Sequence, residues 1–465
     1  MKSLNWQIIL TYSLKYVKIL AINFLNNIVR DKEFLRSLDM GLILKNACVF
    51  INNRFEKRDI KISQKKIHLS FDGNIGDNDV VYDFSDCVIM PGLMDAHVHL
   101  REPGFSYKET IESGTMASAR GGYTTVCSMP NLNPVPDSIE HLKEQTDTIK
   151  RDAKINVYPY ASLTVGEMGE ELSDIEGLYD KVIGFSDDGR GVQSAELMEK
   201  AMLLIKKHDG IISAHCEENS LLNGGYIHDG EYAKKHSHKG ICSESEYLPI
   251  KRDIELARKT GCKYHVCHIS AKESVEAIRQ AKKEGIDITC ETGPHYLVLC
   301  EKDLQEDGRF KMNPPLRSED DKKALIDGIL DGTIDMIATD HAPHSAEEKS
   351  KGLEKSNMGV VGIETAFSVM YKHFVKTGLI TLERLVELMS INPCKRFGVK
   401  SEIAEGETAN ITVFDLNKEY EINPKEFLSK GKSTPFEGMK VFAKCLLTVA
   451  NGNIAFEDAS ERKIK

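Results

Sequence analysis

Pro91-Gly92-Leu93-Met94-Asp95-Ala96-His97-Val98-His99-Leu100-Arg101 is the stretch on which the fold turns: two histidines two residues apart, fed by the apolar run 87–90. Along an extended strand the side chains at i and i+2 share a face, so the two imidazoles can grip one metal ion. A lone His-x-His also suits hydrogen-bonded core imidazoles or idle surface ones, so the pattern needs support from the rest of the chain.

Downstream, short apolar runs alternate with amphipathic ones. Strands are expected at 87–90, 124–129, 155–162, 182–186, 211–215, 264–268, 286–291 and 336–339, and helices at 107–120, 138–151, 194–207, 246–259, 272–284 and 320–330. Eight strand–helix units in about 280 residues suit an α/β fold of the (β/α)8 TIM type, which typically takes ~250. An open doubly wound sheet fits the same alternation and stays open on this evidence. Upstream, 42–44, 47–51, 60–67 and 86–90 read as short strands. The texture returns at 409–415 and 445–454, the latter with the turn pair Asn451-Gly452. Each end alone offers few strands, so residues 40–90 and 396–460 are expected to meet in one small β-sandwich domain, with the metal-dependent barrel over 91–395.

Composition narrows the class. A chain of 465 residues with 41% hydrophobic content has ample core, and a formal charge of −10 gives no footprint for nucleic acid. Eleven cysteines with no CxxC pair imply reduced thiols and a cytoplasmic setting. Residues 1–39 are rich in Ile, Leu and Asn, but Lys15 and Lys18 interrupt the apolar pattern, which makes a poor membrane span and a poor secretory signal. They are expected to be an upstream extension outside the native fold, with Met40 serving as initiator.

Barrel enzymes collect working groups where strands end. His97, His99 and Arg101 follow the first strand, Asn131 the second, Asp187 and Asp188 the fourth, His215 the fifth, His268 the sixth and Asp340 the eighth. Imidazoles with carboxylates form a nitrogen and oxygen set that suits Zn²⁺ better than Ca²⁺. Singly, each has a plainer reading: His215 and His268 as core histidines, Asp187 and Asp188 as a helix cap or Asp-Gly turn, Asp340 as a cap, Arg101 paired with Glu102, Asn131 shaping a turn. Six metal-ligand side chains falling at five strand ends is hard to obtain by accident. His295 and His341 stand between supporting and filler roles, and Gly431-Lys432-Ser433 lacks the first glycine of a phosphate loop.

Assembled, the chain resembles the amidohydrolase superfamily and, within it, the class I dihydroorotases. The likeness rests on Asp95-Ala96-His97-Val98-His99-Leu100-Arg101-Glu102-Pro103-Gly104, Met129-Pro130-Asn131, Phe185-Ser186-Asp187-Asp188-Gly189, Ala214-His215-Cys216-Glu217, Val266-Cys267-His268-Ile269-Ser270, Lys311-Met312-Asn313-Pro314-Pro315-Leu316-Arg317 and Ala338-Thr339-Asp340-His341-Ala342-Pro343-His344. It runs from about Met40 to Asp458. The resemblance implies that His97, His99 and Asp340 bind one zinc, that His215 and His268 bind a second, and that Asp188 bridges when two are present. It implies Asp340 as the catalytic proton carrier, Arg101 and Asn131 as a carboxylate clamp, and His99, Asn313, His344, Met358 and Gly359 as further substrate contacts. Many relatives bridge with a carboxylated lysine on the fourth strand. Residues 182–188 contain none and Lys181 falls too early, which favours the dihydroorotase class over dihydropyrimidinase, hydantoinase or allantoinase.

The activity so implied is the reversible, zinc-dependent closure of N-carbamoyl-L-aspartate to L-dihydroorotate in pyrimidine biosynthesis. Two other readings are another cyclic amidohydrolase and a silent homologue that serves as scaffold for aspartate transcarbamoylase; the second should have lost ligands, and none is missing. A small-molecule substrate, a homo-oligomer and association with the transcarbamoylase are expected, with no membrane and no nucleic acid as partners. The segment before Gly359, Glu354-Lys355-Ser356-Asn357-Met358, departs from the Ala-Pro usual in relatives, and the charged run 345–355 is expected to be a mobile loop.

Overall fold

The computed structural model describes residues 41–71 and 73–465; the expected extension and its initiator lie outside them. Eight parallel strands follow one another around a single sheet: β1 (Leu93–Val98), β2 (Tyr123–Ser128), β3 (Asn156–Ala161), β4 (Gly184–Phe185), β5 (Ile211–Ala214), β6 (Lys263–Val266), β7 (Ile288–Thr292) and β8 (Met336–Ile337). Each pairs with its sequence neighbour. The seam between β8 and β1 is closed by the parallel bridge Val98–His341, where the His99 N–H donates to the His341 carbonyl at 2.9 Å. This is the (β/α)8 barrel, and the open sheet is excluded.

Several helices between the strands start where a hydroxyl can take an orphan N–H. Ser138 caps Ile139–Asp152, Ser194 caps Ala195–Lys207 and Ser318 caps Glu319–Asp331. The expected helix 107–120 begins only at Ile111, because Thr110 and Ser113 form a capping box there. Residues 105–110 are thus left as part of the β1 loop. Glu102 caps the same helix, taking the Ile111 N–H at 2.9 Å instead of pairing with Arg101.

Both ends of the described chain share one sheet. Its six strands run Asn453–Glu457, Lys444–Ala450, Ile411–Asp415, Val88–Pro91, Cys48–Ile51, Arg54–Lys57. A four-stranded sheet (Lys66–His68, Ile60–Ser63, Leu42–Lys45, Val80–Asp83) faces it across a core that includes Leu44, Ile60, Tyr82, Phe84, Ile89 and Val413. The expected strand 60–67 is a hairpin, turned by Gln64 and Lys65 at φ 48° and 66°. Asn451-Gly452 makes the turn read from sequence, at φ 52° and 75°.

One reading is corrected here. The run 87–90 does not feed the histidines within one strand: Val88–Pro91 pairs with Ile411–Asp415 in the sandwich, and β1 is separate. The chain changes sheets at Gly92, where a Cβ would lie 2.1 Å from Thr124 Oγ1. Only glycine lets β1 and β2 approach so closely. Residues 416–443 also leave the sandwich and lie on the barrel, Phe427, Phe436 and Val441 packing against Val361 and Val369.

Candidate metal centre and substrate cavity

Around the C-terminal strand ends lies a cavity of about 220 Å³. His99, Arg101, Asn131, Asn313, His344, Met358 and Gly359 line it, together with Asp188, His215, His268 and Asp340. His97, fully buried, stands against Asp188 behind this wall. A larger cavity of about 560 Å³ beside Arg120 and Glu364 holds none of these residues.

His97 Nε2 is 3.3 Å from Asp188 Oδ1 and 3.6 Å from Asp340 Oδ1. His99 Nε2 is 3.1 Å from Asp340 Oδ1 and 3.5 Å from Asp188 Oδ2. On the other side His268 Nε2 lies 3.4 Å from Asp188 Oδ1 and 3.1 Å from His215 Nδ1. Ligand atoms of His97, His99 and Asp188 fall within 4.8 Å of one another, as do those of Asp188, His215 and His268. Asp188 is common to both sets. Arg101, His268 and Asp340 have φ of 61°, 32° and 46°, a region that costs a non-glycine residue energy and that concentrates at functional sites.

The donor set fits a metal ion. His97 Nε2 is buried without a hydrogen-bond partner while Nδ1 is tied to Glu291 Oε1 at 3.1 Å. An imidazole anchored by a carboxylate through one nitrogen, with the other bare toward two carboxylates, is how a metal-ligating histidine is held. His99 is anchored the same way, Nδ1 to Asn131 Oδ1 at 2.8 Å. Burial works against the charge of Asp188, but His97, His268 and His99 outweigh it and hold the carboxyl well below its ordinary range. Asp340 behaves alike: burial opposes its charge, while His99, His97 and His268 hold it down. Both are acceptors.

Three supporting residues escaped the sequence reading. Glu291 in β7 touches His97 and, through Oε2 at 3.1 Å, His265; these contacts hold it at about 2 although burial alone would raise it. A glutamate inside an apolar strand was the available signal, since a buried charge needs partners. Asp95 takes the His97 and Thr339 N–H groups, joining β1 to the chain beyond β8. Glu217 accepts from Asn313 Nδ2 at 2.8 Å. Asp187, by contrast, turns away: it takes the Leu163 and Thr164 N–H groups and the Thr164 hydroxyl. His341 lies beside Glu109, and His295 is buried next to Tyr296, its imidazole pushed down to about 4 by burial. Neither lines the cavity.

The charged run 345–355 is not a slack loop. It forms two single turns, Ala346–Lys349 and Gly352–Lys355. Lys349 donates to the Lys311 and Asn357 carbonyls at 3.0 and 2.7 Å. Glu348 reaches the other way to Lys108 at 3.0 Å. Met358 and Gly359 do line the cavity, yet the Met358 carbonyl already accepts from His344 Nε2 at 2.7 Å and the Gly359 N–H donates to the Lys311 carbonyl at 3.1 Å.

A parallel (β/α)8 barrel with histidines and carboxylates clustered at its C-terminal mouth defines an amidohydrolase-type enzyme. Among known proteins the Dihydro-orotase-like family model matches residues 86–274. The chain is 52% identical over 423 residues to a dihydroorotase of Fusobacterium nucleatum subsp. nucleatum, covering 90% of this chain and 99% of that one. It is 49% identical over 405 residues to a dihydroorotase of Bacillus cereus, covering 86% and 95%. The chain belongs to the dihydroorotase family. Similar solved structures include the L-hydantoinase of Arthrobacter aurescens (TM-score 0.80, 25% identity, 90% of this chain and 96% of that one). The dihydropyrimidinase of Brevibacillus agri is another (TM-score 0.79, 22% identity, 90% and 96%) and shares the fold.

Proposed function

We propose that this protein interconverts N-carbamoyl-L-aspartate and L-dihydroorotate, using His97, His99, Asp188, His215, His268 and Asp340 to hold one or two Zn²⁺ ions, with Asp188 shared between them when both are bound. The observation that carries the reading is an aspartate, Asp188, between two imidazole sets, beside Arg101 and Asn131 in one cavity. Lys181, the nearest lysine before it in sequence, is exposed and bonded to Asp180 and the Gly177 carbonyl. A bridge of the hydantoinase type has no lysine to use.

Bound zinc supplies a Lewis acid that polarises the reacting carbonyl and lowers the pKa of water. The chain's own residues do the rest. Arg101, whose Nε is held by the Pro343 carbonyl at 3.2 Å, presents a planar fork to the substrate carboxylate. Asn131 Nδ2 lies 3.4 Å from Asp188 Oδ2, which supports a clamp close to the metal ligands, where binding becomes orientation. Asp340 Oδ1 faces His97 and His99, so the proton is carried on Oδ2. In ring opening Asp340 takes a proton from attacking water and returns it to the leaving ring nitrogen. In closure it takes one from the carbamoyl nitrogen as the C–N bond forms and gives it to the departing carboxyl oxygen, which leaves as water.

We assign 92–395 to the barrel and 41–91 with 396–460 to the sandwich, the segment 416–443 excepted. Eleven free cysteines support a cytoplasmic setting, and among the described residues no helix is long and apolar enough to cross a membrane. A homo-oligomer and association with aspartate transcarbamoylase belong to the same proposal, checked by sedimentation with and without that enzyme. The decisive assay is carbamoyl aspartate cyclisation by purified protein, stripped and reloaded with zinc, beside hydantoin, dihydrouracil and allantoin. Turnover of those three without dihydroorotate chemistry would overturn the reading.

A further inference from the structure

His344 sits at the edge of the cavity with its two ring nitrogens in opposite surroundings. Nε2 lies 2.7 Å from the Met358 carbonyl, which can only accept, so Nε2 carries a hydrogen. Nδ1 lies 3.3 Å from Lys108 Nζ and 3.5 Å from Asn357 Nδ2, and both of these donate. An ammonium has no lone pair, so Nδ1 must be the acceptor. Lys108 does not come to this position by chance: its Nζ is 3.0 Å from Glu348 Oε1. That carboxylate is itself fixed by the Ser345 N–H at 2.9 Å, by Tyr107 Oη at 3.2 Å and by Asn357 Nδ2 at 3.1 Å. The Lys108 side chain is only 12% exposed.

We propose that Lys108 is a positioning residue for substrate: held by Glu348, it donates to His344 Nδ1 and so locks His344 as the neutral tautomer with hydrogen on Nε2. The proposal rests on the dihydroorotase reading for the identity of the substrate, not for the state of the ring. Nε2 is the nitrogen beside Arg101, 3.5 Å from its Nη2. The one Nε2 hydrogen goes to the Met358 carbonyl, so the locked ring holds the Met358–Gly359 wall of the cavity beside Arg101. The other tautomer would face that carbonyl with a lone pair, and the two would repel. The charged groups around the ring are Arg101 from the β1 loop, Lys108 from the same loop, Lys349, and Glu348, whose Oε2 lies 3.5 Å from Nδ1. Burial, then Arg101 and Lys108, push the imidazole down to about 3, which agrees with a ring that stays neutral. Without the Lys108 ammonium, Glu348 is the nearest charge to Nδ1, and it favours a proton there.

The test joins Lys108→Met and Lys108→Arg, in metal-loaded full-length protein, with two independent readouts. The first is ¹⁵N NMR of ring-labelled histidine between pH 5.5 and 8, the His344 signals identified by their loss in His344→Asn. The wild type should show an acceptor-type Nδ1 and a protonated Nε2 across the range. Lys108→Met should titrate to imidazolium within it, and Lys108→Arg should keep the wild-type form. The second is kinetics: the Lys108→Met to wild-type ratio of KM for carbamoyl aspartate should change about threefold or more between pH 5.5 and 8, following the His344 titration that adds a positive charge beside Arg101, while the kcat ratio moves less than about threefold and Lys108→Arg keeps the wild-type KM. A protonated Nδ1 in the wild type, or a Lys108→Met protein with unchanged His344 signals and unchanged KM, would overturn the proposal. A wild type inactive on carbamoyl aspartate would instead overturn the functional reading, and the NMR result would still decide the role of Lys108.

Discussion

Changing Glu291 to glutamine removes one charge beside His97 while leaving the hydrogen bond between them in place. The carboxylate is fully buried, with Oε1 3.1 Å from His97 Nδ1 and Oε2 3.1 Å from His265 Nε2. In the variant the amide oxygen can still accept from His97, and the amide N–H₂ can face His265. That ring can present a lone pair at Nε2 because its Nδ1 lies 2.8 Å from Thr289 Oγ1, which accepts as readily as it donates. What is lost is the negative charge that makes His97 a stronger ligand. Replacing such an outer partner typically lowers metal affinity about 10–100-fold, or roughly 1.4–2.7 kcal/mol. Glu291→Ala is the contrasting variant. It strands the buried His97 Nδ1 at about 1–3 kcal/mol, so it should also unfold earlier. Zinc affinity is measured by competition with a chelator at fixed pH, and thermal unfolding of the metal-free proteins gives the stability arm. Glutamine should weaken zinc with little change in unfolding, whereas alanine should weaken both. A Glu291→Gln protein that holds zinc within twofold of the wild type would refute the claim that Glu291 tunes His97.

Asp340→Asn should fold and keep the cavity but lose most turnover, about 10²-fold or more, since an amide cannot carry the proton; near-wild-type kcat would remove Asp340 from its assigned role. Arg101→Lys should raise KM with less effect on kcat, because an ammonium cannot reproduce the planar fork, and an unchanged KM would count against the clamp. In the sandwich, Asp79 accepts from the Gly41 N–H, the Gly76 N–H and Lys61 Nζ at 2.8–2.9 Å. Burial opposes its charge, but Lys61 and the two N–H groups outweigh this and hold its folded pKa below the ordinary value. Its stabilisation is therefore complete above about pH 4 and lost as pH falls through the depressed folded value. Asp79→Asn should cost about 1–3 kcal/mol in urea unfolding at pH 7, and the gap should close toward pH 3. A gap independent of pH would contradict that sign.

Much of the barrel was legible before any coordinates, because each strand–helix unit is a local pattern: an apolar run, a polar loop and an amphipathic stretch, in several units with a capping Ser or Thr. The misreadings share a cause. Residues 87–90 and β1 look like one apolar run, yet they belong to two sheets, because the break is set by Thr124 packing against Gly92 from another strand. The run 345–355 looks like loose polar chain, yet Glu348 pairs with Lys108 and Lys349, adjacent in sequence, donates to the Lys311 carbonyl. Residue type alone does not show what a lysine donates to.

His97, His99, Asp188, His215, His268 and Asp340 were identifiable from sequence alone because metal-ligand residue types at strand ends are a one-dimensional signal. So were the two aspartates and the absence of lysine over 182–188. Tertiary structure alone decided what the neighbour of Asp188 does: Asp187 is consumed by the 163–164 backbone. It alone brought Glu291 to His97 across 194 residues and Lys108 to His344 across 236. Those contacts depend on closing the barrel seam and laying the 345–358 segment across its mouth. Both are long-range events, and no window of sequence contains the two partners at once.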